Sequence, residues 1–159
     1  MPERVDVALA ALRAKLADLE GIVGATSDAD WRRETAAERW PVGLVAFHIA
    51  RAFQRQAEFV EEARQRHDPH LFSWGETHAL NAAVAAAHPS PGRDEVLALA
   101  RASTGRIAAA LGAMDEAALS RVAFVFEGRE RDAVWVVGRL ATEHARGHLE
   151  SIAATIAAV

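Results

Sequence analysis

The stretch TEHARGHLESI, residues 142–152, sets His144 and His148 four positions apart. In a helix of 3.6 residues per turn, positions i and i+4 share one face about 6 Å apart along the axis. Two imidazoles stacked this way suit a divalent metal, which takes imidazole nitrogen at about 2.0–2.1 Å. A third candidate, His48, lies on a similarly apolar strip between Leu44 and Ala52. Three protein ligands leave one coordination position open, the pattern of catalytic rather than closed structural sites. Three imidazoles accept zinc, nickel, cobalt or iron. The alternative is that all three are hydrogen-bonded core histidines, because an alanine-rich helix can carry two of them without any metal.

The elements that must position these rings are helical. Val5, Leu9, Leu12, Leu16 and Leu19 recur at steps of three and four, which predicts a helix over residues 3–23 ended by Gly21 and Gly24. TSDADWRRETAAERW is polar and reads as a connection with a short helical turn. Pro41 suits a first helical position, and a long helix follows until Asp68-Pro69 stops it. Residues 75–87 form an alanine-rich helical segment broken by HPSPG. Ser90-Pro91 with Asp94-Glu95 predicts the next helix start, running to about Leu111. MDEAAL fits one short turn, VAFVFEGRERDA is extended with a turn at Gly128, and Asp132 caps a last helix over 133–157. Val137, Leu140, Ala141, Ile152 and Thr155 share or border the stripe of His144 and His148, so both rings should face inward. The expected fold is all-α: an antiparallel four-helix bundle in one domain, 1–159, with a long crossover containing an extra helical segment.

Composition narrows the chemistry. A chain of 159 residues buries roughly 70% of its unfolded surface, so it needs no metal merely to hold a core. There are no cysteines and no tyrosines, which excludes a disulfide framework, a thiolate metal site, a protein thiol nucleophile and a phenolic acid. The net charge of −4 gives no nucleic-acid footprint. The N-terminus carries charges throughout and lacks the apolar core of a signal peptide, and no run approaches a membrane span of about 18 apolar residues. The expectation is a cytoplasmic protein with no nucleic-acid or membrane partner.

RWPVGLVAFHIARAF and EHARGHLESI resemble the second-helix and last-helix signatures of the DinB/YfiT-like family. ETHALNAAVAAAHPSPGRDEVLALARA is similar to the branch containing mycothiol-dependent maleylpyruvate isomerase. The resemblance covers nearly the whole chain and rests on the order and separation of these motifs. It implies a four-helix bundle with one divalent metal, often zinc or nickel, held by His48, His144 and His148. It also implies a homodimer and a small-molecule substrate. Members are thiol-dependent S-transferases or isomerases that use mycothiol, bacillithiol or glutathione, or else metal-dependent hydrolases. Two departures point away from maleylpyruvate isomerisation. Those isomerases typically carry Glu where His144 stands, and they have a further C-terminal domain, whereas this sequence stops at Val159.

The expected function is therefore a metal-dependent, thiol-dependent S-transferase, with a metal-dependent hydrolase or a non-catalytic binding bundle as alternatives. Arg51 and Arg55, one and two turns beyond His48, are candidates for binding an anionic thiol or substrate, against a solvated helix face. Asn81 is a candidate for orienting substrate. Glu143 and Glu150 are candidates for bonding an imidazole N–H, as metal histidines usually require. His67 and His70 read as helix-end residues, and His78 as a residue the crossover brings near the site. Trp31 and Trp40 read as packing at the bundle end.

Overall fold

A computed structural model gives the architecture over residues 1–158; Val159 and the side chain of Leu140, including its expected place on the last helix's stripe, lie outside the described residues. The elements are α1 (Glu3–Ala25), α2 (Asp28–Trp31), α3 (Val42–Gln65), β1 (His70–Leu71), α4 (Trp74–Ala87), α5 (Arg93–Gly112), α6 (Glu116–Ser120), β2 (Phe124–Phe126), β3 (Arg129–Arg131), α7 (Ala133–Trp135), a π-helical segment (Val136–Glu143) and α8 (His144–Ala157). α1 and α3 each pack on α5 and on the last helix. No helix among the described residues is long and apolar enough to cross a membrane.

Side-chain ties fix the helix directions. Arg101 meets Glu20 at 2.6 Å, and Arg93 reaches the Thr26 carbonyl at 2.9 Å, so the start of α5 lies at the end of α1. Arg106 holds Glu61 through two bonds of 2.8 and 2.6 Å, placing the late turns of α3 and α5 side by side. Those two helices are parallel, which is why the chain needs α4 as a return crossover. Arg4 bonds Asp132 at 2.9 Å, so the last helix starts level with α1 and runs antiparallel to α3. The four-helix bundle with a helical crossover is as expected.

The differences are local. α1 continues through Gly21 and Gly24 to Ala25 because its packed stripe, including buried Leu19 and Val23, outweighs a cost of about 1 kcal/mol per glycine. Pro41 is the N-cap of α3 rather than its first residue. α5 starts from Gly92, not Ser90: Glu95 accepts from the Gly92 N–H at 3.4 Å, and the Pro91 carbonyl is taken by the Trp31 indole at 3.1 Å. Asp132 caps the last helix by accepting from the Trp135 N–H at 2.7 Å, but residues 136–143 widen into π-helix before His144. A small sheet joins the helices. β2 and β3 pair around Glu127-Gly128, both at positive φ as a two-residue hairpin requires, and β1 adds in parallel to β2. The sheet packs Phe124 against Phe59 and Val136 in a second small core.

Trp31 lies across the N-terminal turn of α3, directly over Gly43. A Cβ there would stand 2.4 Å from the indole Nε1. Gly43→Ala should push the indole off Pro91 and destabilise the protein by about 1–3 kcal/mol, read as a lowered thermal midpoint with helical content retained. An unchanged midpoint would show that Trp31 is not clamped there.

Candidate metal centre

The antiparallel contact of α3 with α8 brings the three predicted rings together. His48 Nε2 and His144 Nε2 are 3.2 Å apart, and so are His144 Nε2 and His148 Nε2. The ligand atoms of all three lie within 4.8 Å of one another. Nitrogens bound tetrahedrally at about 2.0–2.1 Å stand about 3.3 Å apart, so these separations fit a shared ion with little movement.

Burial prepares the rings. Desolvation is the main cause lowering His48 to a pKa of about 4, with the His148 ring adding to it and Glu38 opposing it. His144 is lowered to about 3, again chiefly by burial and then by the two neighbouring rings. Both are uncharged near neutral pH and offer nitrogen lone pairs. His144 Nδ1 is buried without a hydrogen-bond partner among the described residues.

The residue the sequence did not reveal is Glu38. Its Oε1 accepts from His148 Nδ1 at 2.8 Å, and its Oε2 accepts from the Ser151 hydroxyl at 2.6 Å. This bond commits the Nδ1 proton and leaves Nε2 to face the other two rings, the arrangement metal-ligating histidines use. Burial alone would raise the Glu38 pKa. Hydrogen bonds from Ser151, His148, Thr35 and its own backbone outweigh that and hold the carboxyl below its usual range. A closed turn presents it: buried Thr35 donates its N–H to the Trp40 carbonyl at 2.8 Å, and Arg39 takes a φ of 58°. Arg33 fastens the same connection to the end of α8 through the Ala158 carbonyl at 2.6 Å. The expected partners do not serve: Glu143 pairs with Arg139, and Glu150 is exposed.

All three histidines open on a cavity of about 570 Å³ between α3, the crossover and α8. Arg51, Arg55 and Asn81 line it, as does His78. His70 lines it too, from β1 rather than a helix end, with its ring stacked 5.2 Å from Phe124. Trp40 forms part of the wall and meets His48 edge-on at 5.6 Å, whereas Trp31 is packing. His67 is structural, accepting from Arg121 at 3.1 Å, and His88 bonds Glu95 at 2.8 Å.

The family described as the mycothiol maleylpyruvate isomerase N-terminal domain matches residues 12–148, a span that includes all three histidines. The chain belongs to that family. No curated protein matches it. Among solved structures it is similar to YfiT from Bacillus subtilis, described as "a probable metal-dependent hydrolase with an unusual four-helix bundle topology". That likeness has a TM-score of 0.78 at 18% identity, covering 98% of this chain and 87% of the other. It shows the DinB/YfiT-like fold. Within this isomerase-domain family, the chain's own three imidazoles form a donor set able to hold a divalent ion.

Two outcomes follow from this geometry. Glu38→Gln keeps the shape but removes the charge that orients His148, and should weaken zinc affinity about 10–100-fold by competition titration; unchanged affinity would show that the bond is incidental. In metal-free protein, His48 and His144 protonate near pH 6.5 when unfolded but only near 4 and 3 when folded. Between those values the unfolded state holds more protons, so stability is full above about pH 6.5 and falls as pH drops through that window. The slope from each ring is at most about 1.4 kcal/mol per pH unit. Denaturant titrations should show this loss, and His144→Gln should flatten it.

Proposed function

We propose that this chain is a divalent-metal-dependent enzyme that joins a low-molecular-weight thiol, such as mycothiol, bacillithiol or glutathione, to a small electrophilic substrate. His48, His144 and His148 would hold the ion; three imidazoles accept several divalent metals, and the family resemblance favours zinc or nickel. The observation that carries the reading is that these three rings sit at the wall of an open cavity large enough for a small molecule, not in a solid core. A metal held by three protein ligands keeps a position open and, when bound, lowers the pKa of a thiol or water placed on it.

The chain's own residues do the rest. The bond from His148 to Glu38 fixes one ring's orientation, and burial keeps the other two rings uncharged. Apolar walls from Leu44, Phe47, Val84 and Ala85 limit water around the reacting groups. The chain contains no cysteine, so a reacting sulfur arrives with the cosubstrate. Membership in a family named for a mycothiol-linked isomerase domain supports the thiol. In the transfer, the sulfur–carbon bond forms as the leaving group departs with its electron pair, and the thiol proton passes to solvent.

A second reading, hydrolysis with water in place of the thiol, is favoured by the description attached to the similar Bacillus subtilis structure. Zinc- or nickel-loaded protein should be supplied with each thiol and a fluorogenic haloalkyl acceptor, with aryl esters assayed in parallel. The proposal expects conjugation that requires thiol and falls to the uncatalysed rate in His144→Ala. Ester turnover independent of thiol, lost in the same variant, would replace it with the hydrolase reading.

A further inference from the structure

One face of α3 runs the length of the cavity. His48, Arg51, Ala52, Arg55, Gln56 and Phe59 all line it, at the i, i+3, i+4, i+7, i+8 and i+11 spacing of a single helical stripe. At 1.5 Å per residue the stripe spans about 16 Å from the histidines to Phe59. It is polar in the middle and aromatic at the far end, where Phe59, Phe72 and Trp74 line the space.

The two arginines on this stripe are not equivalent. Arg55 is exposed and already engaged, 3.1 Å from Glu58 and with its guanidinium 4.6 Å over the Phe59 ring. Arg51 is half-buried, and its guanidinium donates to the neutral amide of Gln54 at 2.5 Å. No carboxylate pairs with it among the described residues. A guanidinium held against apolar walls without an anion lacks the partner that offsets its desolvation. One turn further, Gln56 is only 4% exposed, and its amide oxygen has no hydrogen-bond partner among the described residues. Two successive turns of the stripe therefore offer a guanidinium without an anion and, beside it, an amide oxygen open to a donor. The one acid among the described lining residues, Glu76, is exposed at the start of α4, at the His70 end. Arg55 also acts on His70 there, but it is already engaged by Glu58, so Arg51 is the lining guanidinium without a carboxylate partner among the described residues.

We propose that the cavity selects a small carboxylate with a flat or extended apolar body, its carboxylate on Arg51 beside the three histidines and its body directed toward Phe59 and Phe72. This names the acceptor class for the function proposed above and rests on the cavity being the substrate site. The anion contact belongs to Arg51 rather than to an ion, so it persists without metal.

The test uses 3-phenylpropionate and its neutral analogue 3-phenylpropanamide, titrated into the metal-free chain by NMR and repeated with zinc. The carboxylate should bind at least about 10-fold tighter than the amide, the scale of one charge-assisted contact, and should shift resonances of the α3 stripe and Phe72. Arg51→Gln should lose that advantage, Arg51→Lys should retain part of it, and Arg55→Gln should change affinity by less than about threefold. Equal binding of acid and amide, wild-type affinity in a folded Arg51→Gln, binding that requires zinc, or no saturable binding of either probe would each overturn the proposal. Carboxylate binding that survives while the protein fails to take up zinc would instead refute the metal reading alone.

Discussion

Three imidazole nitrogens turned toward one point, at separations of 3.2 Å along two edges, are the constraint around which the rest is arranged. A neutral imidazole keeps a single N–H, so His144 Nε2 can donate to one of its two neighbours, and the other contact sets lone pairs against each other unless a cation lies between them. Burial works against a second, charging proton, holding His48 and His144 neutral well below neutral pH. The orientation is not left to packing either, because a carboxylate anchored by a serine hydroxyl and a tight turn fixes the third ring. Three converging imidazoles supported by a dedicated carboxylate partner form a donor set that could hold a metal ion.

The topology explains why the rings border open space. α3 and α5 are parallel neighbours, so the chain returns along the bundle between them. The returning helix, α4, contributes no buried residue. It roofs the α3 stripe with small side chains such as Ala85 and leaves a cavity beneath. At the far end Phe59, Phe72 and Trp74 line the space, joined by His70 of β1. The π-helical stretch ends at Glu143, so the helix changes its winding immediately before His144. Such departures from regular helix occur often at functional sites.

What was legible in the sequence follows from periodicity. Helical spacing is local, so His144 with His148, the stripe of Val5 to Leu19, and the hairpin around Gly128 could all be read directly. The meeting of His48 with the last helix was reached only through resemblance, because no local rule says which helix faces which. Glu38 was missed for a related reason: it lies in an irregular connection, where no period marks which side chain turns inward. Glu143 and Glu150, the acids on the helix of His144 and His148, stand at i−1 and i+2 positions that point away from the rings. The parallel strand at His70 was likewise invisible, since a two-residue strand carries no alternation and its partner is 54 positions on. The π-helical stretch showed no signal because its residues fit an ordinary helix equally well.

The most direct measurement is metal content per chain, by mass spectrometry on tag-free protein after exposure to zinc or nickel and removal of excess ion. It should be made on the wild type and on the His48→Ala and His148→Ala variants, with circular dichroism confirming that each remains helical. The account predicts about one ion per chain in the wild type and loss of it in both variants, since each removes one of three ligands. A wild type that takes up no ion, or variants that retain it, would contradict the claim that these three rings form a metal centre.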